Sequence, residues 1–281
     1  YQKMRALIIY LVISAVFIGC TPILSIDAST QSVYHFSDTD KNISLLDISE
    51  TFGTYDGSFV LYDNNLDSWK IYNLEEATKR IPPESTYKIY DALLGLESGI
   101  ITPEHSSMTW NGDAFPFPSW EADQDLNSAM QNSVNWYFQA IDSQLGINRV
   151  QGFLNKIEYG NQTTSSNLDL YWSDFSLKIS PLEQVTLLKK FNTNEFHLNS
   201  QNVFSVKNAI KIASTPNGNF YGKTGTGRVN GQDINGWFIG YVETSDNSYY
   251  FATNIQSDSN ATGKKAFEIT SDILKKLHIW N

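Results

Sequence analysis

The chain has 281 residues, 41% of them hydrophobic and 14% aromatic, with a net charge of −10. That length suits one large domain or two small ones with ample core, and the acidic balance argues against a nucleic-acid partner, which needs clustered Lys and Arg. The one cysteine, Cys20, excludes an internal disulfide or a CxxC motif, and the four histidines, His35, His105, His197 and His278, show neither HExxH nor HxH spacing, so no metal site is expected.

Residues 6–26, ALIIYLVISAVFIGCTPILSI, carry no charge. The length matches a bilayer span. Lys3 and Arg5 precede it and Asp27 is the first charge beyond it, so the positive-inside rule puts everything after residue 27 outside the cell membrane. A cleaved signal peptide is the rival reading, with FIGC as a weak lipoprotein-type site at Cys20 if translation began at Met4. A first residue other than Met fits a piece of a longer chain. The expected organisation is a membrane segment at 1–26, a polar linker at 27–50 and an extracellular domain at 51–281.

In chain order, GSFVLYD and WKIYN around the turn NNLDS read as a β-hairpin. After the interruption RIPPES, Ile89, Ala92, Leu93 and Leu96 recur at helical spacing, with Gly99 as the C-terminal stop. Residues 120–215 read as helical, including LNSAMQNSVNWYFQAIDSQLG and SPLEQVTLLKKF. NGWFIGYVET and SYYFATNI form a second hairpin, and GKKAFEITSDILKKLHIW a last amphipathic helix. Early and late strands would share one antiparallel sheet with the helical block inserted between them, an α/β fold.

The helix after RIPPES begins STYK. Positions i and i+3 share a helix face, so Ser85 and Lys88 can touch. A serine hydroxyl needs a neighbouring base to become a nucleophile, and desolvation can make a lysine that base. Taken alone SxxK is most often a surface pair. KTGTG, Lys223 to Gly227, can put a lysine and two hydroxyls beside a cleft just before a strand, although a Gly-rich turn explains it equally well. SxxK, S-D-N and KTG together mark penicillin-recognising serine enzymes. Ser245-Asp246-Asn247 falls between two strand-like runs and reads as a turn. Ser133-Val134-Asn135 is the better middle motif, because it lies in the helical block between the other two.

STYK, SVN, YGN at Tyr159–Asn161, YWSDFSLKISPLEQ at 171–184 and KTGTG before GWFIGYV occur in this order over residues 52–280. The set resembles class D β-lactamases and, more closely, the extracellular β-lactam sensor domain of the BlaR/MecR sensor-transducers. That resemblance implies a serine β-lactamase-like, class D type fold. It implies that Ser85 is acylated by β-lactam antibiotics and that Lys88, N-carboxylated by CO2, is its base. Trp172 would hold the carbamate, Ser133 would relay a proton to the leaving nitrogen, and Lys223, Thr224, Gly225 and Thr226 would bind the drug carboxylate. The N–H groups of Ser85 and Thr226 would form the oxyanion hole. It further implies an upstream membrane zinc-protease module in the same protein and no other cofactor.

The runner-up is a hydrolysing class D β-lactamase. Such enzymes usually carry an apolar residue at the third position of the Ser133 motif. Asn135 stands there instead, where an amide can bind the lysine and disfavour its carbamate. A cell-wall transpeptidase shares the three short motifs, but the WxxxSLxIS pattern from Trp172 and the YGN argue against it.

Overall fold

The computed structural model describes residues 42–281, together with two short strands, Ile23–Leu24 and Tyr34–His35, which pair antiparallel. The apolar segment 6–26 lies, but for Ile23 and Leu24, outside the described residues, as does most of the linker at 27–50. Among the described residues no helix is long and apolar enough to cross a membrane.

Seven strands form the main sheet: β1 (Ile43–Leu45), β2 (Asp56–Asp63), β3 (Ser68–Tyr72), β4 (Lys211–Thr215), β5 (Gly218–Val229), β6 (Gln232–Glu243) and β7 (Ser248–Gln256). Their spatial order is β1-β3-β2-β7-β6-β5-β4, with β1 parallel to β3 and every other pair antiparallel. Both expected hairpins form; the stretch read as helical over 120–215 is irregular from 158 to 180 and ends in strand β4, and between β3 and β4 lie the inserted helices. They comprise α1 (Lys88–Glu97), α2 (Leu126–Gln131), α3 (Asn135–Leu145), α4 (Ile147–Ile157), α5 (Pro181–Asn192) and α6 (Ser200–Ala209). The last helix is α7 (Gly263–Lys276).

Strand alternation divides the core into two layers. In β6, Trp237, Ile239 and Tyr241 face the inserted helices, while Phe238 and Val242 face α7. In β7, Tyr250 and Ala252 take the first side, Phe251 and Ile255 the second. These side chains are nearly all fully buried, and each large one is worth about 1.5–3 kcal/mol of transfer free energy. Local signals agree with the packing at α5. Ser180 caps it and Glu183 reaches back in a capping box, Pro181 starts it, and Lys189 and Lys190 close it against the helix dipole.

Two further local expectations change. Residues 126–145 are not one helix: α2 ends at Gln131, Ser133 turns through φ +52°, and α3 restarts at Asn135. The periodicity continues across the break, so sequence alone does not reveal it. KTGTG is not a turn before a strand but the middle of β5, paired from Lys223↔Ile239 to Gly227↔Asn235. Its glycines serve close approach: a Cβ at Gly227 would stand 2.4 Å from the Glu84 carboxyl. Ser245-Asp246-Asn247 is the β6–β7 turn, held by Thr244 N–H to Asn247 O at 2.9 Å.

Candidate active site

Three elements meet at the site: the start of α1, the break between α2 and α3, and the middle of β5. The chain enters α1 through a 3-10 turn, Glu84–Tyr87, after Pro82 and Pro83. The turn is clamped. Glu84 N–H donates to Trp172 O at 2.9 Å, Trp237 Nε1 donates to Pro82 O at 2.8 Å, and Thr86 Oγ1 donates to Pro83 O at 2.6 Å. Below it Tyr87 packs edge-on against Tyr159 at 5.2 Å and Tyr171 at 5.3 Å between ring centroids. This packing explains why the YGN and YWSDFSLKIS stretches matter: they build the floor that holds the serine.

On that turn Lys88 Nζ donates to Ser85 Oγ at 2.8 Å and to Asn135 Oδ1 at 2.6 Å. Lys88 is 1% exposed, and its amine lies 5.6 Å from the Phe138 ring centre and 5.7 Å from that of Trp172. Burial, reinforced by the neighbouring Lys223, holds this amine well below the usual lysine value of 10.5. A neutral amine has a lone pair and can take a hydroxyl proton, which an ammonium cannot. Beneath it sits a buried carboxyl pair. Asp142 Oδ2 accepts from Tyr171 Oη at 2.9 Å, and burial together with Asp142 pushes Asp91 well above the usual carboxylate range.

Across the cleft Lys223 Nζ donates to Ser133 Oγ at 3.1 Å and to Thr224 O at 3.0 Å. Burial pulls Lys223 down to about 7. Thr226 Oγ1 accepts from Gly263 N–H at 2.9 Å, which fixes β5 to the start of α7. A Cβ at Gly225 would lie 3.2 Å from Ser85 N, so the backbones of β5 and the serine turn pass with no side chain between them. Ser85, Ser133, Thr224, Gly225 and Thr226 line one cavity of about 600 Å³, with exposed Phe117 at its mouth. Ser85, Asn135 and Thr226 also line a second cavity of about 300 Å³ with Trp172, Glu84 and Arg228. Among the described residues no group of three or more His, Cys, Asp or Glu side chains is placed to hold a metal ion.

Of the nine residues singled out in the sequence, Ser85, Ser133, Asn135, Trp172, Thr224, Gly225 and Thr226 line these two cavities, and Lys88 and Lys223 reach them through their hydrogen bonds to Ser85 and Ser133. Sequence reading missed Glu84, Arg228 and the Asp91–Asp142 pair. Glu84 reads as an ordinary acidic residue at a helix start, and the aspartates belong to no short motif. Glu84, Ser133 and Phe175 share another feature: each is a non-glycine residue in the left-handed region, with φ +53°, +52° and +70°. Nine other non-glycine residues among those described share that region, so the conformation alone does not single out the site.

Glu84 is 5% exposed, and burial raises it to about 8 against the hydrogen bond from Asn235 and the charge of Lys88. The unfolded chain ionises this group above about 4.5, whereas the folded chain does so only above about 8. Stability is therefore lost as pH rises between those values, by up to about 1.4 kcal/mol per pH unit. Glu84→Gln should raise the urea midpoint at pH 8 and leave it almost unchanged at pH 4. An equal shift at both pH values would show that the carboxyl is not held neutral.

The site thus combines a serine–lysine dyad at a helix start, a second lysine–serine pair and a KTG strand, the three-part constellation that the sequence signature anticipates. The model of the penicillin binding protein transpeptidase domain matches residues 50–275, and the chain belongs to that family. Regulatory protein BlaR1 of Bacillus licheniformis is 45% identical over 277 residues, 98% of this chain and 45% of that protein. The solved C-terminal domain of the Bacillus licheniformis BlaR penicillin-receptor superposes with a TM-score of 0.83 at 46% identity, covering 85% of this chain and 98% of that one. The class D β-lactamase BAT-2 superposes with a TM-score of 0.79 at 37% identity, covering 84% and 97%. The α/β fold expected from the motifs is thus the fold found. The chain spans less than half the length of the curated BlaR1 and mecR1 relatives it matches.

Proposed function

We propose that this domain is a covalent receptor for β-lactam antibiotics which keeps its acyl group and so signals induction of β-lactam resistance. The observation that carries the reading is the 2.6 Å contact from Lys88 Nζ to Asn135 Oδ1. In the first step the neutral Lys88 amine takes the Ser85 proton and Ser85 Oγ attacks the lactam carbonyl. The N–H groups of Ser85 and Thr226 receive the developing oxyanion. Ser133, bonded to Lys223, passes a proton to the lactam nitrogen as the C–N bond breaks. Lys223, Thr224, Gly225 and Thr226 hold the drug carboxylate. In the second step a water must lose its proton to a base, and the Asn135 oxygen, by accepting from the Lys88 amine, favours the free amine over the carbamate that would serve as that base. Loss of general-base assistance slows such a step by about 10²–10⁴-fold.

Lys88 is also the residue that would carry a carbamate formed from CO2, which would supply a base of its own. The apolar walls from Phe138 and Trp172 suit that group, and the Asn135 amide competes with it for the same nitrogen. The class D β-lactamase reading draws on those walls and on the likeness to BAT-2.

Asn135→Val tests the choice. It removes the competing amide and leaves an apolar wall, so release of hydrolysed drug at saturating drug and bicarbonate should rise by about tenfold, equivalent to about 1.4 kcal/mol. Acylation should change little by comparison, since it begins with the amine already at Ser85. Rapid turnover by the unaltered domain would favour the β-lactamase. A variant that stays acylated as long as its parent would remove Asn135 as the cause.

Lys223 gives the reading a pH signature. Its charge attracts an anionic drug, and in the empty site that charge is lost as pH rises through about 7. The second-order acylation rate, which reports the free protein, should therefore fall above pH 7. Lys223→Arg, with a guanidinium that stays charged, should carry the falling limb to higher pH, and Lys223→Ala should weaken capture throughout. A limb that stays in place in Lys223→Arg would assign it to another group.

The wider setting extends the same reading. Residues 6–26 would anchor the domain to the cell membrane, 27–50 would link it and 51–281 would lie outside the cell as the sensor. An upstream membrane zinc-protease module of the same protein would receive the signal.

A further inference from the structure

The second cavity beside Ser85 has a carboxyl wall that the acylation chemistry does not use. Glu84 Oε1 accepts a hydrogen bond from Asn235 Nδ2 at 3.4 Å, and among the described residues the carboxyl has no other hydrogen-bond or ion-pair partner. It is 5% exposed and lines the cavity. Gly227 is what leaves it room, because a Cβ there would stand 2.4 Å from Oε1. Arg228 lines the same cavity, but its guanidinium is already paired with Asp233 at 2.8 Å. Trp172 and Phe175, the latter 54% exposed, give the cavity aromatic walls.

We propose that Glu84 is a specificity-determining residue that favours β-lactams whose acylamido side chain carries both an aromatic ring and an amine. This rests on the receptor reading above. A β-lactam has its carboxylate on one side of the lactam carbonyl and its acylamido group on the other. With the carboxylate at Lys223 and the carbonyl over Ser85, the acylamido group enters the second cavity, whose walls Asn135 and Thr226 share with the first. The ring meets Trp172 and Phe175, and the ammonium meets the Glu84 carboxyl. Burial keeps that carboxyl neutral until a cation arrives beside it, when the pair ionises together. A buried carboxyl with one weak partner costs the fold stability, the trade found where a group is kept for binding.

The test compares a penicillin bearing a D-phenylglycyl side chain with its phenylacetyl analogue, which differs by the one amine. Second-order acylation rates are read by stopped flow, each divided by the drug's rate of hydrolysis by hydroxide. The parent should favour the amine by about tenfold or more, as one hydrogen bond to a charged group would give. Glu84→Gln should lose that preference and Glu84→Asp should keep part of it. Taking the ratio of the two drugs cancels any general change in the variants. A parent without the preference, or a Glu84→Gln ratio equal to the parent's, overturns the inference while leaving the receptor reading intact. Absence of a covalent adduct with either drug overturns both.

Discussion

Ser85→Ala should take up no drug under conditions in which the parent is labelled completely. Two serines in the cleft contact lysines, Ser85 with Lys88 at 2.8 Å and Ser133 with Lys223 at 3.1 Å, so contact alone does not choose between them. Protonation does. Lys88 is held well below the ordinary lysine value by burial and by the charge of Lys223, whereas Lys223 stands at about 7 and is cationic for part of the time at neutral pH. The base belongs to the neutral lysine. Backbone position agrees: Ser85 N lies against the glycine of β5, where a carbonyl oxygen can reach main-chain N–H groups from both elements. Intact mass after exposure to benzylpenicillin reads the outcome. Label that survives in Ser85→Ala and disappears in Ser133→Ala would exchange the two roles.

Lys88→Met should slow acylation by about 10²–10⁴-fold, or roughly 3–5 kcal/mol of barrier, the usual worth of a positioned general base. Methionine fills much of the same space between Phe138 and Trp172, so the loss reports the amine and not a cavity. The neighbouring carboxyls sharpen the expectation. Asp91 and Glu84 both favour a proton on Lys88, and burial with Lys223 outweighs them. Stopped-flow acylation, with circular dichroism to confirm the fold, measures the effect. A rate within a few-fold of the parent's would mean that another group takes the Ser85 proton.

The sequence made the site legible wherever chemistry follows a short local pattern. STYK works because i and i+3 meet on one helix face, and the structure places Ser85 and Lys88 in contact just where a 3-10 turn becomes α1. KTGTG was legible as a motif but not as a strand, since two glycines in five residues read as a turn. Only the pairing with β6, from Lys223↔Ile239 to Gly227↔Asn235, explains them, as gaps into which the serine turn fits. The helix break at Ser133 escaped the periodicity because Ala129, Met130, Val134, Tyr137 and Phe138 remain apolar across it. Glu84 could not be read at all. Its neutrality comes from burial against residues of β5 more than a hundred positions away, brought there by folding, which outweighs the hydrogen bond from Asn235. Alternation was the most reliable guide to the sheet, since β6 and β7 bury both faces and still keep large residues in register.

The central claim is that Ser85 becomes acylated and stays so. The direct measurement is intact mass followed over time after a pulse of benzylpenicillin and removal of the free drug. The expected result is a single added drug mass that persists for seconds to many minutes, the lifetime left when a turnover of about 10 s⁻¹ loses a base worth 10²–10⁴-fold. Return of the unmodified mass within a second, with hydrolysed drug released each time fresh drug is added, would contradict it and make the domain a β-lactamase.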